Sequence, residues 1–171
     1  EIGLDFNRMF SPKNVQEQWF ARQLETAESL GLPVILHERD SEGRLLEILA
    51  GHPVSRKGVV HCFSGTEPEL FKYLDMGYHI GITGVLTHKE RGEALRAMAK
   101  KIPAERILVE TDAPYLTPWP IRNKIRRNEP AFVADVLERL AEVRGEEHEP
   151  LSEQVWSNTL RVFGISEEEI F

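Results

Sequence analysis

The sequence predicts an α/β fold built from parallel βα units, and two observations support that prediction. Short β-rich runs alternate along the chain with longer segments whose apolar residues recur at helical spacing. The β-rich runs are almost continuously apolar, as expected for strands that are covered on both faces of a parallel sheet. This pattern favours parallel βα units over an antiparallel sandwich.

Five strands are expected, which is fewer than a closed barrel needs. A (β/α) barrel takes eight strands and about 250 residues, whereas this chain has 171 residues. We therefore expect a partial TIM (β/α) barrel from which about three N-terminal strands are absent. The first residue is not methionine, and the first strand begins at residue 1, which agrees with this expectation. The expected strands are Glu1–Phe6, Pro33–Glu38, Gly58–Phe63, Tyr78–Gly84 and Arg106–Asp112.

Helices are expected between these strands and after the last one. In the first helix Val15, Trp19 and Leu24 recur at helical spacing, and Gly31 suits its C-terminal end. After the fifth strand, the run TDAPYLTPWP contains too many prolines to be helical. The expected helices are Pro12–Leu30, Ser41–Leu49, Glu67–Met76, Gly92–Lys100, Ala131–Arg144 and Leu151–Phe163.

Composition predicts one domain in a reducing compartment. With 41% hydrophobic residues, residues 1–171 can bury one substantial core, so a single domain is expected. No apolar run approaches the roughly 18 residues needed to cross a bilayer, and the first residues lack the order of a signal peptide. The single cysteine, Cys62, excludes a disulfide framework and a thiolate cluster. A cytoplasmic location is the expectation.

The net charge of −7, from 21 basic and 28 acidic side chains, argues against a bulk polyanion binder. Any phosphate contact must therefore be local. One basic cluster places Arg122, Lys124, Arg126 and Arg127 within the run IRNKIRR. A cluster of this kind is as often a solvated loop as a phosphate site.

Four polar residues, Glu1, His37, His61 and Asp112, each interrupt an otherwise apolar strand. The last three lie at or near the carboxyl end of their strands, where parallel α/β folds bind ligands. A lone strand histidine is more often a core residue, and a lone acid there more often begins a turn. Four together would cost desolvation energy unless they are paired or bind a metal, so a divalent metal site is predicted. Carboxylates suit Mg²⁺ or Mn²⁺, and imidazoles admit Zn²⁺.

The other candidate groups receive structural interpretations. Strand alternation places Cys62 opposite to His61, so we expect it to be a small buried hydrophobe. The remaining histidines are expected to be surface or structural residues: His52, His79, His88 and His148.

Six segments, in their order and at their spacing, resemble the TatD-type deoxyribonuclease family. The resemblance covers nearly the whole chain, and the motifs GLDFNR, IGITG and RRNEP are closest to the TatD branch of that family. The six segments are EIGLDFNR (1–8), PVILHERD (33–40), VVHCFSG (59–65), GYHIGITG (77–84), ETDAPYLTP (110–118) and RRNEP (126–130).

This resemblance implies a metal-dependent phosphodiesterase that acts on DNA, in the TatD branch a magnesium-dependent exonuclease trimming single strands from the 3′ end. It also implies that Asp112 is catalytic, orienting or deprotonating the attacking water. By the same resemblance the metal ligands are Glu1, His37, His61 and Asp112, and the contacts to DNA phosphates are Arg39, Arg126 and Arg127. Many family members have a first-strand His-x-His pair, which this sequence does not contain.

Two alternatives stay open. An amidohydrolase-like enzyme acting on a small ester, lactone or cyclic amide could use the same residues. The chain could also be an inactive truncated fragment that depends on another chain, because five strands of a barrel leave open parallel edges.

Overall fold

The computed structural model describes residues 1–170 of the chain. The chain divides into two compact units, Glu1–His79 and Ile80–Phe171, and each has its own strands and helices. Among the described residues, no helix is both long enough and apolar enough for a membrane crossing.

The first unit contains three parallel strands, each followed by a helix. Its elements are β1 (Ile2–Asp5), α1 (Lys13–Leu30), β2 (Ile35–Arg39), α2 (Arg44–Gly51), β3 (Val59–His61) and α3 (Glu67–Asp75). Strand β2 lies between β1 and β3 and pairs in parallel with both. The apolar residues of these elements are almost fully buried, including Leu4, Phe20, Leu24, Leu36 and Val60.

Local sequence explains where helices of this unit begin and end. Helix α1 ends at Gly31, which has a φ of 62° and can adopt that left-handed conformation because it has no Cβ. Helix α3 begins with a capping box, in which the Glu69 side chain accepts from the Thr66 backbone N–H at 2.8 Å. These two signals fix the lengths of the segments that connect the strands.

Up to residue 170, the second unit contains a parallel strand pair and three α-helices. Strand β4 runs over His79–Ile82, so its first residue belongs to the first unit, and β5 runs over Ile107–Val109. Ile80 lies opposite Ile107, and Ile82 lies opposite Val109. The helices are α4 (Glu93–Ala99), α5 (Val133–Arg144) and α6 (His148–Phe163). Short 3₁₀ segments occupy Gly84–Thr87, Ala104–Arg106, Ile121–Asn123, Pro130–Phe132 and Glu167–Glu169.

Buried polar side chains attach these helices to the rest of the second unit. Asn158 of α6 is completely buried and donates to the carbonyls of Ala104 and Ile107 at 2.8 and 2.9 Å. Arg144, at the end of α5, donates to the carbonyls of Ala99 and Ile102. A buried carbonyl without a donor costs free energy, so these bonds stabilise the positions of α5 and α6.

The predicted fold class is confirmed: the chain is α/β, its five strands pair in parallel, and α-helices lie where the apolar spacing placed them. The strands are shorter than the apolar runs. The run Gly58–Phe63 gives only Val59–His61, because Cys62 has a φ of 46°, outside the β region. Helix α6 begins at His148, three residues before the predicted start at Leu151. The single-domain assignment of residues 1–171 stays a prediction.

Candidate functional site

In the first unit, strand register aligns the residues that the sequence singled out. Gly3 lies opposite His37, and His37 lies opposite His61. Glu1 and Asp5 are each two residues from Gly3 and therefore lie on its side of the pleated strand. The first unit thus brings together three of the four predicted ligands, Glu1, His37 and His61.

The His37 imidazole lies between two carboxylates. Its Nδ1 is 3.0 Å from Glu1 Oε1, and its Nε2 is 3.5 Å from Asp5 Oδ2. The Nε2 atom of His61 is 3.8 Å from the same Glu1 oxygen. The His61 side chain is 16% exposed and that of His37 35%, so both rings are accessible from solvent. We call Glu1, Asp5, His37 and His61 the acid–imidazole cluster.

Asp5 is a member of this cluster that the sequence analysis missed. Burial opposes its ionisation, but the N–H groups of Arg8 and Asn7, together with His37 and Arg39, outweigh burial and lower the pKa of its carboxyl. Asp5 is therefore a carboxylate at neutral pH. One signal could have revealed it, because Asp5 is an acid at the carboxyl end of an apolar strand, as Asp112 is.

Gln16 of α1 fixes the end of β1 and with it the position of Asp5. Its Oε1 accepts from the Asp5 N–H at 2.8 Å, and its Nε2 donates to the Asp5 carbonyl at 3.0 Å and to the Ser11 carbonyl at 2.8 Å. Because Gln16 pairs with both the N–H and the carbonyl of Asp5, it makes the hydrogen bonds that a further strand would otherwise make at this residue. A cavity of about 340 Å³ opens beside these groups, and Phe10, which is 86% exposed, lines it.

Gly3 allows the close approach of β1 to β2. Its φ is 149°, and a Cβ at this position would lie 1.9 Å from the His37 carbonyl oxygen. Any larger residue would push the strands apart and separate Glu1 and Asp5 from His37.

The structure corrects the interpretation of Cys62. Strand alternation predicted a small buried hydrophobe pointing away from His61, but β3 ends at His61 and Cys62 is only half-buried. Its left-handed backbone conformation breaks the alternation, so that prediction was wrong. Positive φ at a residue other than glycine is strained and concentrates near functional sites.

Asp112 belongs to the second unit and follows β5. Its φ is 57°, a left-handed conformation that aspartate tolerates better than most residues. Its carbonyl accepts from the Tyr115 N–H at 2.9 Å. Asn128, which is 2% exposed, donates to the carbonyls of Thr111 and Tyr115 at 2.8 and 2.6 Å. Asn128 therefore holds the loop on both sides of Asp112, and sequence analysis did not identify it although it lies within the RRNEP motif.

The predicted phosphate contacts lie on different elements. Arg39 is the last residue of β2, is half-buried and lies opposite Asp5 in the strand register. Arg126 and Arg127 are exposed residues of the second unit. The Thr117 hydroxyl, in a residue without solvent exposure, donates to the Arg126 carbonyl at 2.6 Å. This bond fixes the backbone of the basic run while its side chains extend into solvent.

The acid–imidazole cluster has the chemistry of a divalent cation site. Metal bonds from imidazole nitrogen and carboxylate oxygen are about 2.1 Å long, so one ion can bridge two donors up to about 4.2 Å apart. The Glu1–His37 and Glu1–His61 separations of 3.0 and 3.8 Å satisfy that limit. Two imidazoles and carboxylate oxygens form a mixed set that suits borderline and hard divalent ions.

A parallel α/β chain with acids and imidazoles around the strands of its sheet belongs to a class that binds ligands and metals at strand ends. Within that class the family is now clear. A family model described as "TatD related DNase" matches residues 1–164, and the chain belongs to this family.

Two of the curated relatives share one name. A protein named "3'-5' ssDNA/RNA exonuclease TatD" from Pantoea ananatis is 46% identical over 168 residues, covering 96% of this chain and 65% of that protein. A protein of the same name from a Rahnella species is 46% identical over 169 residues, covering 97% of this chain and 64% of that protein. The chain therefore spans somewhat less than two thirds of the length of these relatives.

Solved structures show the same fold. The structure of YJJV, a TatD homologue from Escherichia coli K12, matches with a TM-score of 0.87 at 32% identity, covering 97% of this chain and 63% of that one. A TatD family hydrolase from Entamoeba histolytica gives a TM-score of 0.85 at 27% identity, covering 97% and 62%. An uncharacterised amidohydrolase from Saccharomyces cerevisiae gives 0.78 at 25% identity, covering 95% and 64%.

Proposed function

We propose that this protein is a metal-dependent nuclease that hydrolyses the phosphodiester bonds of single-stranded DNA from the 3′ end. The family and the name of the curated relatives support this activity. The observation that carries it is the acid–imidazole cluster, in which His37 lies 3.0 Å from Glu1 and 3.5 Å from Asp5.

The proposed metal ligands are Glu1, His37, His61 and Asp112, and the proposed ion is Mg²⁺. When bound, a divalent ion supplies positive charge to the phosphate oxygens and acidifies water. The proposal for Asp112 rests on its place three residues after the end of β5 and on its motif, and the proposal for the other three rests on their distances within the first unit.

Each protein group has a defined task in this proposal. Asp112 accepts the proton of the attacking water, because a carboxylate at a strand end can reach water at the site. Arg39, Arg126 and Arg127 bind DNA phosphates, for which the planar guanidinium group is well suited. Asp5 is a positioning residue: its carboxylate beside Nε2 orients the His37 ring and favours one arrangement of its nitrogens.

A DNA strand is the proposed partner and a cytoplasmic location the proposed setting. The second candidate, hydrolysis of a small ester or lactone, is favoured only by the likeness to the yeast amidohydrolase. The exposed Arg126 and Arg127 favour the nucleic acid, since a neutral small substrate gains nothing from two cations.

The test is an assay of the protein on 5′-labelled single-stranded DNA with Mg²⁺, with and without EDTA. We expect a ladder of shortened products that EDTA abolishes. Asp112→Asn should lower the rate by about 10²–10⁴-fold while the protein stays folded. Asp75→Asn, at an exposed aspartate at the end of α3, is the matched control and should cleave normally.

The result that would contradict the proposal is a folded wild-type protein that leaves the DNA intact. Cleavage of a small ester or lactone by that same sample would support the second candidate instead. A protein that hydrolyses neither substrate would agree with the inactive-fragment alternative.

A further inference from the structure

The second unit contains a cleft outside the residues assigned above. It has a volume of about 560 Å³ and is lined by Thr87, His88, Lys89, Glu90, Arg91 and Trp119. These residues come from two loops, 84–91 after β4 and 115–122 after β5. Neither loop is part of a strand or an α-helix, so the cleft depends on other contacts for its shape.

Hydrogen bonds hold the first loop rigidly. The guanidinium of Arg96, on α4, donates to the carbonyls of Leu86 at 2.9 Å and His88 at 2.6 Å, and also to that of Lys89. Because one planar guanidinium group donates to three carbonyls, the backbone of residues 86–89 has little conformational freedom. Arg96 is engaged in this way, so Lys89 and Arg91 are the cations that the loop itself presents.

The second loop is attached directly to the first. The backbone N–H of Trp119 donates to the Thr87 hydroxyl at 2.9 Å, and the Trp119 and His88 rings meet edge to face with centroids 6.4 Å apart. Gly84 makes this approach feasible, because a Cβ there would lie 2.1 Å from the Leu116 carbonyl oxygen. The walls of the cleft are therefore preorganised by contacts within the second unit.

The chemistry of the walls is aromatic and cationic. Trp119 is 42% exposed, although a tryptophan normally buries most of its large apolar surface. The run Trp119–Arg127 contains four basic residues and no acid, and Lys89 and Arg91 add two more against Glu90. This local excess of positive charge stands out in a chain whose net charge is −7.

The cleft residue His88 is uncharged at neutral pH. Burial is the main cause that lowers the pKa of its imidazole, and Arg122 and Arg91 lower it further, against the Thr117 carbonyl, which favours the protonated form. The positive charge of the cleft therefore resides on flexible, exposed Lys and Arg side chains, which can follow a backbone of phosphates.

We propose that this cleft binds a nucleobase of the single-stranded substrate, with the base stacked on Trp119 and the adjoining phosphates held by Lys89, Arg91 and Arg122. An open aromatic surface flanked by cations is how proteins bind single strands without reading their sequence. The proposal rests on the proposed nuclease function for its ligand, and it adds a second contact point on the strand besides the acid–imidazole cluster.

The test measures binding separately from cleavage. The anisotropy of a fluorescein-labelled oligothymidylate of about ten nucleotides is titrated with protein in EDTA, so that no cleavage occurs. Trp119→Ala should weaken binding by about 10-fold, whereas Trp119→Phe should retain most of the affinity. Trp156→Ala is the matched control, since Trp156 is 40% exposed but lies on α6, outside the cleft, and it should bind as wild type does.

A second arm identifies the contact as stacking. An abasic oligonucleotide of the same length has the phosphates but no bases, so Trp119→Ala should not change its affinity. Arg91→Gln should instead weaken the binding of both oligonucleotides. It should also reduce the slope of log affinity against log salt concentration by about one.

Equal oligothymidylate affinity of wild type and Trp119→Ala would overturn the cleft proposal, even if the wild type cleaves DNA with Mg²⁺. Loss of affinity for the abasic strand as well would overturn the stacking role. If Trp119 supports binding but the wild type cleaves nothing, the cleft proposal stands and the nuclease proposal fails.

Discussion

The first unit holds its polar groups on strands, and the second holds them on loops. In the first, Gly3, His37 and His61 share one register line, and the ladder of backbone hydrogen bonds sets the spacing of the side chains. In the second, the loops around Asp112, Arg126 and His88 lie outside the strand ladder. Asn128, Thr117 and Arg96 hold them instead through bonds to backbone carbonyls.

The two regions also have opposite electrostatics. The acid–imidazole cluster concentrates carboxylate oxygens and imidazole nitrogens, which are ligands for a divalent cation. The loop region of the second unit concentrates arginine and lysine, which attract an anion. The proposed phosphodiesterase activity needs both kinds of region, and we expect each region to fail in its own way when the contacts that fix it are removed.

The largest expected effect comes from removing the central ring of the first unit. His37→Ala should weaken Mg²⁺ or Mn²⁺ binding by more than about 100-fold, because the loss of even an outer partner of a metal ligand costs about 10–100-fold. Isothermal titration calorimetry with Mn²⁺ measures this directly. Cleavage of single-stranded DNA should fall at least in proportion.

A matched histidine in the same unit provides the control for His37. The His52 and His37 side chains are both 35% exposed, and His52 Nδ1 lies 3.4 Å from Glu25, as His37 lies beside Glu1. His52→Ala removes a comparable imidazole–carboxylate contact away from the cluster, so metal affinity should not change. Equal metal binding by His37→Ala and wild type would disprove the role of the cluster.

The next effect separates loop fixation from general stability. Asn128 and Asn158 are both buried, and each donates to two backbone carbonyls. Alanine at either position should lower the free energy of unfolding by about 2 kcal/mol, because buried carbonyls lose their donors. Urea denaturation measures this loss. Only Asn128→Ala should also impair DNA cleavage below the unfolding transition, since Asn158 holds α6 rather than the loop of Asp112.

If both asparagine variants cleave DNA at the wild-type rate while folded, the Asn128 bonds matter for stability alone. If Asn158→Ala impairs cleavage as much as Asn128→Ala does, the loop around Asp112 has no special dependence on its own donors. Either result would remove the functional difference between the two loop-fixing residues.

The contrast between the units also explains what could be predicted from sequence. Strand residues repeat every two positions, so a polar residue in an apolar run indicates both its element and its face. His37 and His61 could be placed on neighbouring strands in this way. Asp5 carries the same signal, because it also interrupts an apolar run near the carboxyl end of its strand, yet the sequence analysis did not identify it.

Loop contacts left no such signal. Trp119 bonds to Thr87, 32 residues earlier, and no local periodicity relates the two positions. Cys62 broke the strand pattern through a positive φ that only the three-dimensional context determines. The strands, with His37 and His61 on two neighbouring ones, therefore followed from the sequence, whereas the role of Asp5, the cleft and the fixation of Asp112 by Asn128 required coordinates.

The smallest expected effect is a pH dependence that belongs to the second unit. The pKa of His88 is lowered from 6.5 by burial, then by Arg122 and Arg91. As the pH falls below about 6.5, the unfolded chain takes up a proton at this imidazole before the folded chain does, which favours unfolding. His88 therefore lowers stability below that pH and adds no pH dependence above it.

His88→Asn removes the titrating group. The Tm of the variant minus the Tm of the wild type should therefore increase as the pH is lowered from about 7.5 to about 5.5. Differential scanning calorimetry across this range measures the shift, and comparison of differences cancels any constant packing loss. If the two Tm curves stay parallel, the imidazole is not held neutral and the charge of the cleft includes a protonated His88.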